Sequence, residues 1–388
     1  MYKVRQDYIL IALILLLILL GLATLCSASF LFAANHPLRF KNGWSPLVSN
    51  LIACGIMLAV FPFTALLSLD KLKNGKVVIF LVALTILLNI LPTVSLFQKI
   101  NHRKGIDVMR WIVLKANGKE FLSFQPSELF KVALPLYLAY ILDKNQDRLN
   151  SFAYGFLPPV IITTLFCGLV LWQSNFSEAV LILIISLVIC FVAGIRLGWF
   201  CLGLTVPFPI VYLLLTLDKE GRWYQRFISY ISKKQDLSGA DYQISMGLKA
   251  IREGGFWGKG IGQGTLKVRI PEVHGDFVFA AYIEEFGLLG VLVYLLLIGA
   301  FVYIGCVTAF RSRDRFKQLL AFGLVTAIAV QTLTNIAVVV KLIPTTGIPL
   351  PFVSSGGSSL LMTLVASGLL VNISRSNIKS GIGGHYVR

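Results

Sequence analysis

The sequence predicts an all-α integral membrane protein, with about ten transmembrane helices and a large extracytoplasmic loop between helices 7 and 8. Three observations predict it. Apolar runs of about 20 residues recur from end to end, the length that crosses a hydrocarbon core of about 30 Å as a helix. The chain of 388 residues is 56% hydrophobic and only 14% charged, too apolar for a soluble domain of that size. Lysine and arginine gather in alternate short connections, as the positive-inside rule requires.

The runs place spans at roughly 8–34, 47–69, 77–97, 126–142, 155–172, 178–195, 197–217, 277–309, 319–341 and 355–373. The first follows Lys3 and Arg5 and has small residues at Ser27, Ala28 and Ser29, as a signal peptide would. Its apolar run is too long for a signal h-region, so it is read as a retained span. A cytoplasmic N-terminus puts Lys71, Lys73, Lys76, Lys144, Arg148, Arg196, Arg311, Arg313, Arg315, Lys317 and Arg375 on the same side. The C-terminus is then cytoplasmic as well. No internal repeat divides the chain, which reads as one multi-pass domain over 1–388, with an external loop at 218–276. The tail 374–388 is short and polar and reads as disordered.

Net charge is +17. In a membrane chain this points to topology and anionic headgroups. No zinc-finger, basic-zipper or basic-aromatic sheet pattern suggests nucleic acid. Cys26, Cys54, Cys167, Cys190, Cys201 and Cys306 sit in apolar runs without a CxxC pair, and read as small apolar side chains. The four histidines are scattered, so no zinc site is expected.

Two external loops hold the chemistry. The loop 98–125 leads into FQPSELFK, where Pro126 suits the start of a helix. Glu128 and Lys131 then share a helix face. They either mark the membrane interface or pair within a cavity. Arg110 and Trp111 likewise read as an interfacial anchor, or as a grip on a phosphate or sugar. The loop 218–276 carries Gly254, Gly255, Gly258, Gly260, Gly262 and Gly264, with Lys259, Lys267 and Arg269. Glycines let backbone amides approach an anion, although a plain flexible loop has the same composition and no Walker or Rossmann spacing is present.

The run 277–310 lacks a basic residue and exceeds what one crossing needs. Its helix must tilt, break at Gly287–Gly290, or project outward. That places Glu284 and Glu285 near the outer interface and Asp276 above it. Asp276 reads as an N-cap, or as an ionised acid able to accept a proton; the two roles are compatible.

Three segments resemble one family. RWI…FQPSELFK at 110–131, GGFWGKGIGQGTLKVRIPEVHGDFVFAAYIEEFGLLG at 254–290 and IPTTGIPLPFVSSGGSSLLMTLVASGLLVNISR at 343–375 resemble the SEDS family of bacterial wall synthesis, the FtsW, RodA and SpoVE proteins. The wording GKGIGQGT and LLVNISR leans to the FtsW and SpoVE side. The resemblance implies polymerisation of lipid II by an inverting glycosyltransferase in the bacterial cytoplasmic membrane, in division or cell-shape maintenance. It implies Asp276 as the base that deprotonates the acceptor sugar hydroxyl, with undecaprenyl pyrophosphate leaving. Arg110, Lys259, Lys267 and Arg269 are candidates for the leaving-group charge, Trp111 for positioning, and Glu128 with Lys131 for shaping the cavity. The implied partners are a class B penicillin-binding transpeptidase and other divisome or elongasome membrane proteins. No cofactor is evident; a divalent cation, Mg or Mn, would help neutralise pyrophosphate, but no ligand set is visible. A lipid II flippase and a non-catalytic scaffold are the rival readings.

The chain departs from the family pattern in places. Where relatives show QPDLGTA, this chain reads QSNFSEA at 173–179. Asn175 takes the place of an Asp and Ser174 that of a Pro. Glu178 is positioned to return a carboxylate to the region. Ser355 and Gly275 replace a Tyr and a Thr of the pattern.

Overall fold

The computed structural model describes residues 5–35, 55, 58–94, 110–116, 119–196, 198–199, 240–266, 270, 275–354 and 357–383. Its helices include α1 Gln6–Asn35, α2 Gly75–Ile90, α3 Phe130–Lys144, α4 Leu157–Trp172, α5 Phe176–Ala193, α6 Ala240–Gly254, α7 Val278–Phe310, α8 Arg315–Val339 and α9 Gly357–Gly383. Among the described residues, seven helices are long and apolar enough to cross a membrane. They match seven of the spans expected from hydropathy. The span expected at 126–142 is a 3-10 turn, Pro126–Leu129, continued by α3. Of 47–69, helix is described over 58–66. The span at 197–217 lies almost wholly outside the described residues.

Local signals set the helix ends. Asp314 caps α8 by accepting from the amides of Phe316 at 2.9 Å and Lys317 at 3.4 Å. Asn74 caps α2 through Lys76 N at 3.0 Å. α5 stops at Gly194, whose φ of 82° is the left-handed conformation of a helix C-cap. Helices α4 and α5 form an antiparallel pair, and α8 packs against α3, α5 and α7. In a lipid setting such contacts rest on close packing and interhelical hydrogen bonds, as between Thr163 and Ser186 at 2.6 Å.

The basic end of the bundle is closed by ion pairs. Lys73 bridges Asp143 at 2.9 Å and Asp314 at 3.3 Å. Buried Asp7 accepts from Arg5 at 2.9 Å and Arg375 at 3.4 Å, tying α1 to α9. This corrects the expectation of a disordered tail from residue 374. No Pro or Gly interrupts 374–380, and α9 runs on to Gly383, with Asn377 donating to Thr308 O at 2.9 Å. Residues 384–388 lie outside the described set.

The opposite end holds more structure than its loops suggest. Ile112–Ala116 (β1) and Lys119–Phe124 (β2) pair antiparallel, Ile112 opposite Phe124, with an irregularity at Leu114/Lys115. The overlooked signal was Asn117-Gly118 between two β-prone runs, a hairpin dipeptide. Within the loop 218–276, α6 is an amphipathic helix laid on α7, with Ile244 and Ala250 buried.

Candidate functional site

All the candidate polar residues that the structure describes gather at this second end, in four groups. The first is built on the turn between α4 and α5. Arg110, just ahead of β1, donates through Nε to Gln173 O at 2.8 Å and through Nη2 to Ser174 O. Gln173 in turn donates to Asn89 O at 2.8 Å, and Asn89 to Pro126 O at 3.1 Å. Arg110 therefore holds the hairpin against the helical bundle, and Trp111 beside it is half-buried.

The second group is a buried ion cluster. Lys131 Nζ lies 2.7 Å from Glu128 and 3.5 Å from Glu178. All three are almost wholly inaccessible. An unpaired charge at such depth would be very costly, so the pairing explains how each is tolerated. Of the two readings of Glu128 and Lys131, the geometry has the interior pair. Asn175 is buried at the N-cap position of α5 and makes no side-chain cap bond. Glu178, in the first turn of α5, supplies the second carboxylate.

The third group surrounds Asp276. Here the N-cap reading is corrected: the N-cap of α7 is Phe277, which has no side-chain cap bond, and Asp276 stands one residue earlier. The main chain of Asp276 is fixed instead. Asn335 of α8 donates to Asp276 O at 2.7 Å and to Ile348 O at 2.8 Å. Ser354 donates to Gly275 O at 2.7 Å and accepts from Leu350 N at 2.7 Å. Gln331 adds a bond to Pro349 O at 2.8 Å. The carboxylate accepts a long bond from Gln243 of α6, 3.4 Å, and Asp276 is half-buried. The segment 343–354, to which the sequence assigned no role, is thus the cradle of this acid. Asn335 and Gln243 were not foreseen; an amide inside the apolar α8 was the available signal. Helix α9 packs against the Pro126–Leu129 turn that carries Glu128 of the ion cluster.

Glu284 and Glu285 have another task. Of the three outcomes expected for the long helix, the structure has the break, at Gly287, with φ 64° and ψ −164°. The backbone groups it frees are taken by the glycine-rich loop. Lys259 N donates to Glu284 O at 2.9 Å and Gly260 N to Glu285 O at 3.0 Å, while Leu288 N and Leu289 N donate to Gly255 O and Phe256 O at 3.0 and 3.1 Å. A Cβ on Gly258 would lie 2.1 Å from Glu285 O, and Gly258 itself has a φ of 77°, so only glycine fits. The side chains lock the same loop. Glu284 accepts from Thr265 N at 2.8 Å, Leu266 N at 3.0 Å and Lys259 Nζ at 3.1 Å. Glu285 accepts from Ser27 Oγ at 2.5 Å and Gly262 N at 3.2 Å.

The glycine-rich loop does present amides to an anion, but that anion is the protein's own carboxylate. Lys259 also pairs with Glu253, and these two carboxylates raise its pKa, the Glu253 bond first. Lys267 and Arg269 lie outside the described residues.

The chain is similar to known proteins in sequence and in fold. The sequence matches the FtsW/RodA/SpoVE model, described as cell cycle protein, over residues 7–379. It is 33% identical to a protein of Trichlorobacter lovleyi over 375 residues, 95% of this chain and 93% of that one. It is 34% identical to one of Bacillus subtilis over 382 residues, 95% of this chain and 90% of that one. Both are called probable peptidoglycan glycosyltransferase FtsW. A chain from a structure titled as a peptidoglycan synthase complex, in which polymerization and crosslinking are coordinated, aligns with a TM-score of 0.74 at 25% identity, covering 97% of this chain and 99% of that one. The rod shape determining protein RodA of Thermus thermophilus aligns at 0.64 and 23% identity, covering 97% of this chain and 98% of that one, a likeness of fold. With a match that runs from the first helix into the last, the chain belongs to the FtsW/RodA/SpoVE family of cell cycle proteins.

Proposed function

We propose that this multi-pass membrane protein is a peptidoglycan glycosyltransferase that polymerises lipid II into glycan strands at the outer face of the bacterial cytoplasmic membrane, in division or cell-shape maintenance. The observation that carries the reading is the way Asp276 is held. Asn335 and Ser354 fix its main chain and that of Gly275, while its carboxylate stays half-buried beside the 347–354 loop. An acid positioned through its backbone and left partly open to solvent is preorganised, which suits a general base. The relatives' common name and the synthase complex among the structural neighbours support the same reaction.

In this mechanism Asp276 takes the proton of the acceptor's sugar hydroxyl as its oxygen attacks the anomeric carbon of the donor. The new glycosidic bond forms as the bond to phosphate breaks, and undecaprenyl pyrophosphate leaves with the electron pair. One displacement inverts the anomeric carbon. Lys267 and Arg269 are the cations assigned to the leaving group, since Lys259 is already paired and Arg110 is engaged by carbonyl oxygens. Mg or Mn would enter as a substrate ion on the pyrophosphate oxygens. Trp111 lines the approach of the sugar. The basic end, from Arg5 to Arg375, faces the cytoplasm. A class B penicillin-binding transpeptidase is the partner that cross-links the product.

Polymerisation of labelled lipid II by the purified protein with its transpeptidase tests this. Asp276→Asn should lower turnover about 100-fold or more with unfolding unchanged. Near-normal turnover by a folded Asp276→Asn protein refutes the base, and lipid II crossing between leaflets without polymer would point to transport instead.

A further inference from the structure

The loop after α6 carries three exposed apolar side chains that the reaction leaves without a role: Phe256 at 51%, Trp257 at 75% and Ile261 at 64% exposure. Its backbone is bonded to α7 on both sides of Gly287, and Glu284 and Glu285 draw its amides inward. With the polar groups committed to the inside, the apolar side chains point out. Phe256 and Trp257 meet edge to face with centroids 5.1 Å apart. Leu288, Leu289 and Leu292 extend the same exposed apolar surface along α7.

Depth follows from helix length. From Leu288 to Phe310, α7 rises about 34 Å at 1.5 Å per residue, close to the roughly 30 Å of a hydrocarbon core. Arg311 marks one boundary of that core, so Gly287 marks the other. Phe256 is hydrogen-bonded to Leu289 and therefore lies at that boundary. Just before it, Lys249 and Arg252 are exposed on the end of α6. Basic side chains followed by exposed aromatic rings, held at the edge of an apolar core, are the composition of an interfacial membrane anchor.

We propose that the segment from Lys249 to Ile261 is a membrane-surface anchor, with Phe256, Trp257 and Ile261 in the boundary between acyl chains and headgroups and Lys249 and Arg252 against anionic lipid phosphates. The anchor fixes the height of the Gly287 break. Through α6, whose Gln243 reaches Asp276, it also fixes the height of that carboxylate above the membrane. A transpeptidase covering the same side chains is the competing occupant. The lipid is favoured because the patch continues the lipid-facing surface of α7 and carries basic residues.

The test uses the full chain in vesicles of phosphatidylcholine and phosphatidylglycerol containing lipids brominated at shallow or deep acyl positions. The difference in fluorescence between wild type and Trp257→Phe isolates this ring. It should be quenched about twofold more by shallow than by deep bromines, and be shielded from aqueous iodide. Lys249→Glu with Arg252→Glu, or vesicles of phosphatidylcholine alone, should reduce that quenching. Access to iodide without quenching by brominated lipid would overturn the anchor, as would shielding that arises only when a transpeptidase is co-reconstituted.

Discussion

Asp276 and the pair Glu284 and Glu285 occupy one stretch of chain, at and just inside the start of α7, and the fold treats them in opposite ways. The two glutamates are buried, and donors from the glycine-rich loop, Lys259 and Ser27 converge on their carboxylates. Asp276 is held by its main chain, and its half-buried carboxylate accepts a 3.4 Å bond from Gln243. A carboxylate whose lone pairs are filled by short bonds holds structure together, because removing it strands several buried donors. Asp276 is fixed through its backbone, and its carboxylate lies half-buried rather than sealed in the core. Position along the sequence does not separate the two kinds of acid; their burial does.

The sharpest way to break this contrast is the pair Asp276→Asn and Glu284→Ala. The first should abolish polymerisation, by about 100-fold or more, and leave thermal unfolding in detergent where it was. The second should destabilise the fold by roughly 3 kcal/mol, since the Thr265 and Leu266 amides and Lys259 lose a common acceptor. If Glu284→Ala unfolds like wild type yet loses all turnover, the two acids differ less than their donors imply.

The ion cluster around Lys131 offers a finer comparison. Glu178→Thr leaves Lys131 with Glu128 and should cost about 1–3 kcal/mol. Adding Asn175→Asp returns a carboxylate to the same end of α5 and should recover a good part of the loss. No recovery in the double variant would mean that the cluster requires the carboxylate at 178.

Lys259→Gln should have the smallest effect, below about 1 kcal/mol, because Lys259 and Glu253 are partly exposed to solvent. Its sign with pH is defined. The raised pKa of Lys259 means that the folded state holds the proton more tightly. The contribution is complete below the ordinary lysine value of about 10.4 and fades as pH rises through the higher folded value. The wild-type and variant unfolding curves should therefore converge at high pH.

What was legible in advance follows the range of each interaction. The spans could be read because their apolar length answers to the bilayer alone. That the long run could not cross straight was readable from its length, but the choice of a break at Gly287 over a tilt or an outward projection came from the structure. The β1–β2 hairpin and α6 were missed because both lie in basic loops, where short alternation and amphipathic spacing give weaker signals than hydropathy. The cradle of Asp276 could not be read at all. Gln243, Asn335 and Ser354 come from 33, 59 and 79 residues away to reach Asp276 and Gly275.

By itself, the sequence determined that this is an all-α membrane protein, where most of its helices lie, and which family it resembles, since those depend on local composition and contiguous motifs. Tertiary structure alone decided which carboxylates are buried and which stays partly exposed. It filled the glycine-rich loop's amides with Glu284 and Glu285, gave Lys131 its second partner in Glu178, and set Asp276 on its main-chain supports. Those outcomes turn on donors brought together from distant parts of the chain, and a buried polar group takes its role from the partners that surround it.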